Sequence, residues 1–127
     1  MIEESYVSFE TARMLKEARF DVPCFNQYTD RGTVWHCDCP ENFNISQCAT
    51  SCPTQALAAR WLREVHRIVV DATLIPPSTD GNAWRYFIGE MDDMVWNGDY
   101  VPSDEFYRTY EKALEAGLQE AIKLIKK

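Results

Sequence analysis

Ile68-Val69-Val70-Asp71-Ala72-Thr73-Leu74 decides the fold class. Ile68, Val70, Ala72 and Leu74 fall on one side of an extended chain and Val69, Asp71 and Thr73 on the other, which is the two-residue period of a strand. Pro76-Pro77-Ser78-Thr79-Asp80-Gly81 breaks that period, and Trp84, Tyr86 and Ile88 then alternate with Arg85 and Phe87. Strand, turn and strand in succession predict a hairpin, so the sheet is expected to be antiparallel.

Helical periodicity flanks this hairpin on both sides. Upstream, Pro53 suits the first position of a helix, and Ala56, Leu57, Trp61, Leu62 and Val65 follow at the spacing of one buried face. Downstream, Tyr110, Ala113, Leu114, Gly117, Leu118, Ala121, Ile122 and Ile125 share a face, with Glu111, Lys112, Glu115, Gln119 and Lys123 opposite. Gly117 on that apolar face lowers helix propensity by roughly 1 kcal/mol relative to Ala, so a close neighbour is expected there. Asn97-Gly98, between Val95-Trp96 and Asp99-Tyr100, tolerates positive φ and predicts a tight turn leading to a short third strand.

Toward the N-terminus, Ser8 is placed to cap a helix whose stripe is Val7, Thr11, Met14, Leu15 and Ala18, with Val7 packing back on Ala12 and Pro23 limiting the helix to about Arg19. Cys24-Phe25-Asn26-Gln27-Tyr28 and Thr33-Val34-Trp35-His36 flank Thr29-Asp30-Arg31-Gly32 and read as another hairpin. Residues 37–52 read as irregular, either ordered by something beyond their own apolar content or forming a mobile loop. The expectation is an α+β fold over a single domain, residues 1–127: an antiparallel sheet built from hairpins and packed by three helices, in the order α-β-β-α-β-β-(β)-α.

Three segments also carry a likeness to known sequences. Ser8-Phe9-Glu10-Thr11-Ala12-Arg13-Met14-Leu15-Lys16-Glu17, Pro53-Thr54-Gln55-Ala56-Leu57-Ala58 with Trp61-Leu62-Arg63-Glu64, and Tyr110-Glu111-Lys112-Ala113-Leu114-Glu115-Ala116-Gly117-Leu118-Gln119-Glu120-Ala121 cover mostly helices. In them the chain resembles a family of short uncharacterised proteins encoded by gut Bacteroides-type bacteria and their phages or mobile elements. The resemblance implies a fold more than a chemistry and carries no catalytic residue with it.

Charge narrows the partners. Thirteen Lys and Arg against 20 Asp and Glu give −7, which opposes attraction to phosphate backbones or anionic membrane surfaces. No nucleic acid and no membrane partner is expected. The first residues have neither a basic nor an apolar leader segment, so a cytoplasmic location is expected, where five cysteines in 127 residues read as free thiols or metal ligands.

Cys37, Cys39, Cys48 and Cys52 place four thiols within one short segment, a set that can hold Zn2+ tetrahedrally and order the chain around it. His36 or Cys24 could substitute as ligands, and the competing reading is ordinary reduced thiols. Cys52, just before Pro53, would also meet a helix N-terminus, where a thiolate is favoured, although a structural use of this residue is the stronger reading. No base can be assigned to it from spacing, since His36 and His66 fall on different elements.

Between residues 90 and 105 there are six acidic residues and no Lys or Arg. Asp92, Asp93, Trp96, Asp99 and Tyr100 there combine negative charge with aromatic anchors, a composition suited to a basic protein surface. The alternative is a solvated hairpin with its aromatics packed inward. A calcium loop over the same stretch is excluded by Val95 at a position that requires an oxygen ligand.

Glycine-rich phosphate loops, the His-Glu-x-x-His zinc pattern and the Gly-x-Ser-x-Gly elbow are all missing from the sequence. The expected function is therefore a non-enzymatic protein-interaction or regulatory module of a phage or mobile element or its bacterial host. The alternatives are a small domain stabilised by zinc on the four cysteines and an enzyme built on carboxylates that only the fold would bring together. An uncovered sheet face leaves room for a homodimer.

Overall fold

The computed structural model describes residues 2–75, 83–92 and 95–125, with the backbone alone at 92 and 95–100. Helix α1, Phe9–Glu17, starts at Ser8, whose extended backbone leaves its hydroxyl free to accept from Thr11 N at 3.2 Å. Its end is set by Arg19 in the left-handed region, φ 69°. Phe20 N then donates to Leu15 O at 2.9 Å and Arg19 N to Lys16 O at 3.0 Å, while the Leu15 and Phe20 side chains are buried. This double closure stops the helix six residues ahead of Pro23.

Strands β1, Cys24–Thr29, and β2, Val34–Glu41, form the expected hairpin. Gly32 takes φ 83° in the turn, and its N–H donates to Thr29 O at 2.9 Å. A third strand, β3, Ala49–Ser51, pairs with the other side of β1, giving the order β2-β1-β3.

The segment expected to be irregular is thus largely ordered, and side chains order it. Asn44, in the 3₁₀ turn Phe43–Ile45, donates to Phe20 O at 2.8 Å and accepts from Ser51 N at 2.8 Å. Ser51 Oγ accepts from Phe43 N at 3.0 Å, and Phe43 is buried. Lys16 Nζ donates to the carbonyls of Ser46 and Ala49, each at 2.6 Å.

Helix α2, Gln55–His66, begins two residues after Pro53, with Thr54 as its cap accepting from Leu57 N at 3.1 Å. The buried face is Gln55, Ala58, Trp61 and Leu62. Ala56 and Val65, expected on it, are exposed. Arg67 closes the helix with φ 59° and turns the chain into β4, Ile68–Leu74.

Strand β4 pairs with β5, Trp84–Asp92, from Ile68 opposite Glu90 to Leu74 opposite Trp84. Strand β6, Val95–Pro102, completes a second antiparallel sheet, order β4-β5-β6. Asn97-Gly98 is not a turn: Asn97 pairs with Glu90 inside β6. The register shifts between Ile88 and Glu90, so residues 98–100 sit opposite Gly89. An Asn-Gly pair also suits such an irregularity, because it tolerates backbone angles other residues avoid.

Helix α3, Tyr110–Lys123, buries Ala113, Leu114, Gly117, Leu118, Ala121 and Ile122 against β4 and β5. One core unites residues from all three helices and from strands of both sheets, among them Val7, Leu15, Phe20, Leu62, Ile68, Ile88 and Leu118. The expected α+β class, antiparallel pairing and three helices are present, in two three-stranded sheets. Among the described residues no helix is long and apolar enough to cross a membrane.

Candidate functional site: an edge strand and its aromatic face

Along β1 the side chains alternate. Cys24, Asn26 and Tyr28 are buried, and Phe25 points outward at 51% exposure. Strand β2 lies at the edge of this sheet and is exposed at every residue but Cys37, which is half-buried. Trp35 is 61% exposed on the outer side, where it pairs with Gln27, and Val34 is 50% exposed. An edge strand presents unpaired N–H and C=O groups to which another strand can add.

Side-chain contacts brace the face. Asn26 Oδ1 lies 2.7 Å from His36 Nδ1, and the His36 ring stacks on Phe25 with centroids 6.2 Å apart and planes 16° from parallel. Gln27 Nε2 donates to Cys37 Sγ at 3.2 Å. Cys24 pairs with Glu41 and Asn26 with His36, so β2 carries a bulge over residues 37–40, including Pro40. From residue 32 to residue 59 the chain has no Lys or Arg, while Asp38 and Glu41 are exposed on the edge.

The four cysteines weighed as zinc ligands against ordinary thiols are separated by this architecture. Cys37 is engaged by Gln27, Cys39 and Cys48 are exposed, and Cys52 is buried in the core with its Sγ 3.9 Å from Val7 O. The cause is the pairing of β3: Cys52 N donates to Asn26 O at 2.9 Å, which extends the ladder and turns the thiol inward. Among the described residues no three His, Cys, Asp or Glu side chains gather closely enough to hold a metal ion. The substitutes are committed elsewhere, Cys24 donating to Val22 O at 3.4 Å and His36 holding Asn26.

Burial also decides the chemistry of the inner thiols. It pushes Cys24 up to about 11, with nearby Cys52 adding to the rise and a hydrogen bond with Ser51 opposing it. Cys52 is likewise raised by burial; its contact with Tyr28 opposes the rise and the charge of Glu115 adds to it. Of the two readings of Cys52, reactive thiolate and structural residue, burial favours the second: the thiol stays protonated, and a helix start two residues away does not offset the loss of water.

Asp93 lies outside the described residues, as do the side chains of Asp92, Trp96, Asp99 and Tyr100; the backbones of these four belong to β5 and β6. Trp84 and Tyr86 pack against the core as expected of sheet aromatics.

A polar junction invisible in the sequence ties the helices together. Glu115 accepts from four donors: Ser8 N at 3.0 Å, Ser8 Oγ at 2.8 Å, Thr11 Oγ1, and Gln55 Nε2 at 3.0 Å. Gln119 Nε2 also donates to Thr11 Oγ1 at 3.0 Å. With its oxygens so engaged, this carboxylate caps α1 from α3 and has little capacity left to act as a general base.

Sequence reading passed over Phe25 and Trp35. The usable signal was their phase: Phe25 is out of step with Cys24, Asn26 and Tyr28, so burying those three must turn Phe25 outward. Comparisons with protein-family models, curated proteins and solved structures return no match to this chain.

Proposed function

We propose that the chain is a non-enzymatic protein-interaction module that receives a basic, extended segment of a partner alongside β2. The observation that carries this reading is a sheet edge left unpaired among the described residues, beside exposed Phe25 and Trp35, in a stretch with carboxylates and no cations. Main-chain hydrogen bonds along an edge give affinity, and side chains against its face give selectivity. By sequence, Asp92, Asp93 and Asp99, in a stretch that also holds Trp96 and Tyr100, add to a net charge of −7 that would speed approach of a basic partner. The likeness of the helical segments supports a role in a phage or mobile element or its bacterial host.

The test is binding of an immobilised peptide of alternating Lys and Val, with one of alternating Glu and Val as control. The Lys peptide is retained, Trp35→Ser with Phe25→Ser weakens it tenfold or more, and added salt weakens it further. Equal retention of both peptides, or of neither, would sink the reading. Growth of a dimer peak with concentration would mean that β2 pairs with β2 of a second copy, against the repulsion of two chains at −7 each.

A further inference from the structure

The two sheets treat their free edges differently. At the ends of the β4–β5 ladder, Met91 N donates to Arg67 O at 2.8 Å and Ile75 N to Ala83 O at 2.7 Å. In an antiparallel pair the bonding residues alternate, so residues 67, 69, 71, 73 and 75 turn their N–H and C=O groups toward β5. Ile68, Val70, Ala72 and Leu74 turn theirs away, along an edge that no other strand covers among the described residues. On β2 the bond from Thr29 N to Thr33 O at 2.8 Å sets the phase in the same way, and the outward donors are Val34 and His36.

Among the described residues no side chain takes the N–H of Val34 or His36. On β4, by contrast, the outward N–H of Ala72 donates to Asp71 Oδ1 at 2.8 Å. Asp71 belongs by alternation to the sheet face opposite Val70 and Ala72, which are buried on the α3 side. Yet the hydroxyl of Tyr110, on α3, donates to the same oxygen at 3.4 Å. A carboxylate reached both from the α3 side and from its own strand's outward N–H lies across the edge. Trp84, which pairs with Leu74, stands edge-on to Tyr110 at 5.7 Å and keeps the phenol near that end of the strand.

A strand adding to β4 needs the N–H of Ala72, and Asp71 has already taken it. A second copy of this chain could supply such a strand by two-fold antiparallel pairing, with Val70 of one copy against Ala72 of the other and Asp71 against Asp71. Ile68, Val69, Val70 and Thr73 give β4 the β-branched composition that pairing favours. The two carboxylates would then stand directly opposite each other, which opposes it. Charged side chains placed on an edge are a general means of keeping it closed.

We infer that Asp71 is an edge guard: its carboxylate caps the Ala72 N–H and closes β4 to strand addition, and without that cap β4 pairs with β4 of a second copy. This edge belongs to a different sheet from β2, and its closure does not depend on the docking proposed there.

The experiment is sedimentation of the full chain over a wide range of concentration, with Asp71→Val, Asp71→Asn and Thr73→Val beside the unaltered protein. Thr73→Val adds the same apolar side chain to the same face but leaves the cap, and Asp71→Asn removes the charge but keeps an acceptor for Ala72 N–H. Asp71→Val should dimerise at a concentration at least tenfold lower than the other three. Amide hydrogen exchange locates the contact. In Asp71→Val the amides of Val70 and Ala72 should slow as concentration rises, while those of Val34 and His36 keep the rates they have in the unaltered protein at the same concentration. The idea is overturned if Asp71→Val associates no more than the unaltered chain, if Asp71→Asn or Thr73→Val associates as readily, or if the slowed amides are those of Val34 and His36. Should Asp71→Val not fold, amide temperature coefficients of the unaltered chain decide. Ala72 should then behave as hydrogen-bonded, like the ladder amides of Asp71 and Thr73, and a coefficient like those of Val34 and His36 would overturn the cap.

Discussion

Gly117 on α3 lies so close to Tyr86 on β5 that a Cβ at the glycine would come 2.9 Å from the Tyr86 Cβ and 2.8 Å from a Val70 methyl. Gly117→Ala therefore sets a gain in helix propensity of up to about 1 kcal/mol against overpacking of about 1–3 kcal/mol. Both obstructing groups are fixed on strands, so the clash should prevail. Chemical denaturation should show a net loss of about 1–2 kcal/mol, and a more stable variant would mean that the helix can lift from the sheet at little cost.

Glu115 joins α3 to the start of α1 through Ser8 and Thr11 and to α2 through Gln55. Glu115→Ala leaves these donors without their shared acceptor and should cost about 2 kcal/mol. Glu115→Gln keeps an acceptor and should lose less. Equal stability of all three proteins in urea would show that the junction contributes nothing.

Asn44 supplies two of the cross-links of the segment between β2 and β3, to Phe20 O and Ser51 N. Asn44→Ala should destabilise by about 2 kcal/mol, whereas a chelator should leave the melting temperature where it was, since the cysteines are dispersed. Stoichiometric zinc in the purified protein, with a melting temperature that falls on chelation, would contradict this account of what orders the segment.

The inner thiols make stability fall at high pH. Cys24 is raised from its ordinary value of 9.0 to about 11, so the folded state holds that proton while the unfolded chain releases it. The contribution is complete below about pH 9 and is lost as the pH climbs toward about 11, and Cys52 acts in the same direction. Urea midpoints measured across this range should decline, less so in Cys24→Ala. In the native protein a thiol reagent should reach Cys39 and Cys48 first and reach Cys24 and Cys52 only on unfolding.

Much of this architecture can be read from periodicity. The Ser8 cap, the alternation through β4 and β5, the apolar face of α3 and the need for a close neighbour at Gly117 all follow from local pattern. What escapes is set by partners distant in sequence. Ala49-Thr50-Ser51 is too short to show a period and becomes a strand only because β1 has a free side. Thr54 replaces Pro53 at the start of α2 because its hydroxyl can reach Leu57 N.

The same limit applies to the candidate sites. Cysteine spacing was legible, but the turn of Cys52 into the core follows from its pairing with Asn26, more than twenty residues away. Val65 shows the converse: it fits the stripe of α2, yet the chain turns away at Arg67 and leaves it uncovered.

Pro40 would limit the length of any strand docked on β2 as proposed above. Proline brings no N–H to a ladder and residues 37–40 are bulged, so a strand added in the proposed docking would find regular spacing only over residues 34–36, roughly 10 Å of extended chain. Such a footprint suits a short linear motif better than a folded surface. Partners of that kind would compete with one another and exchange quickly, and the same proline would disfavour sheets growing copy upon copy along this edge.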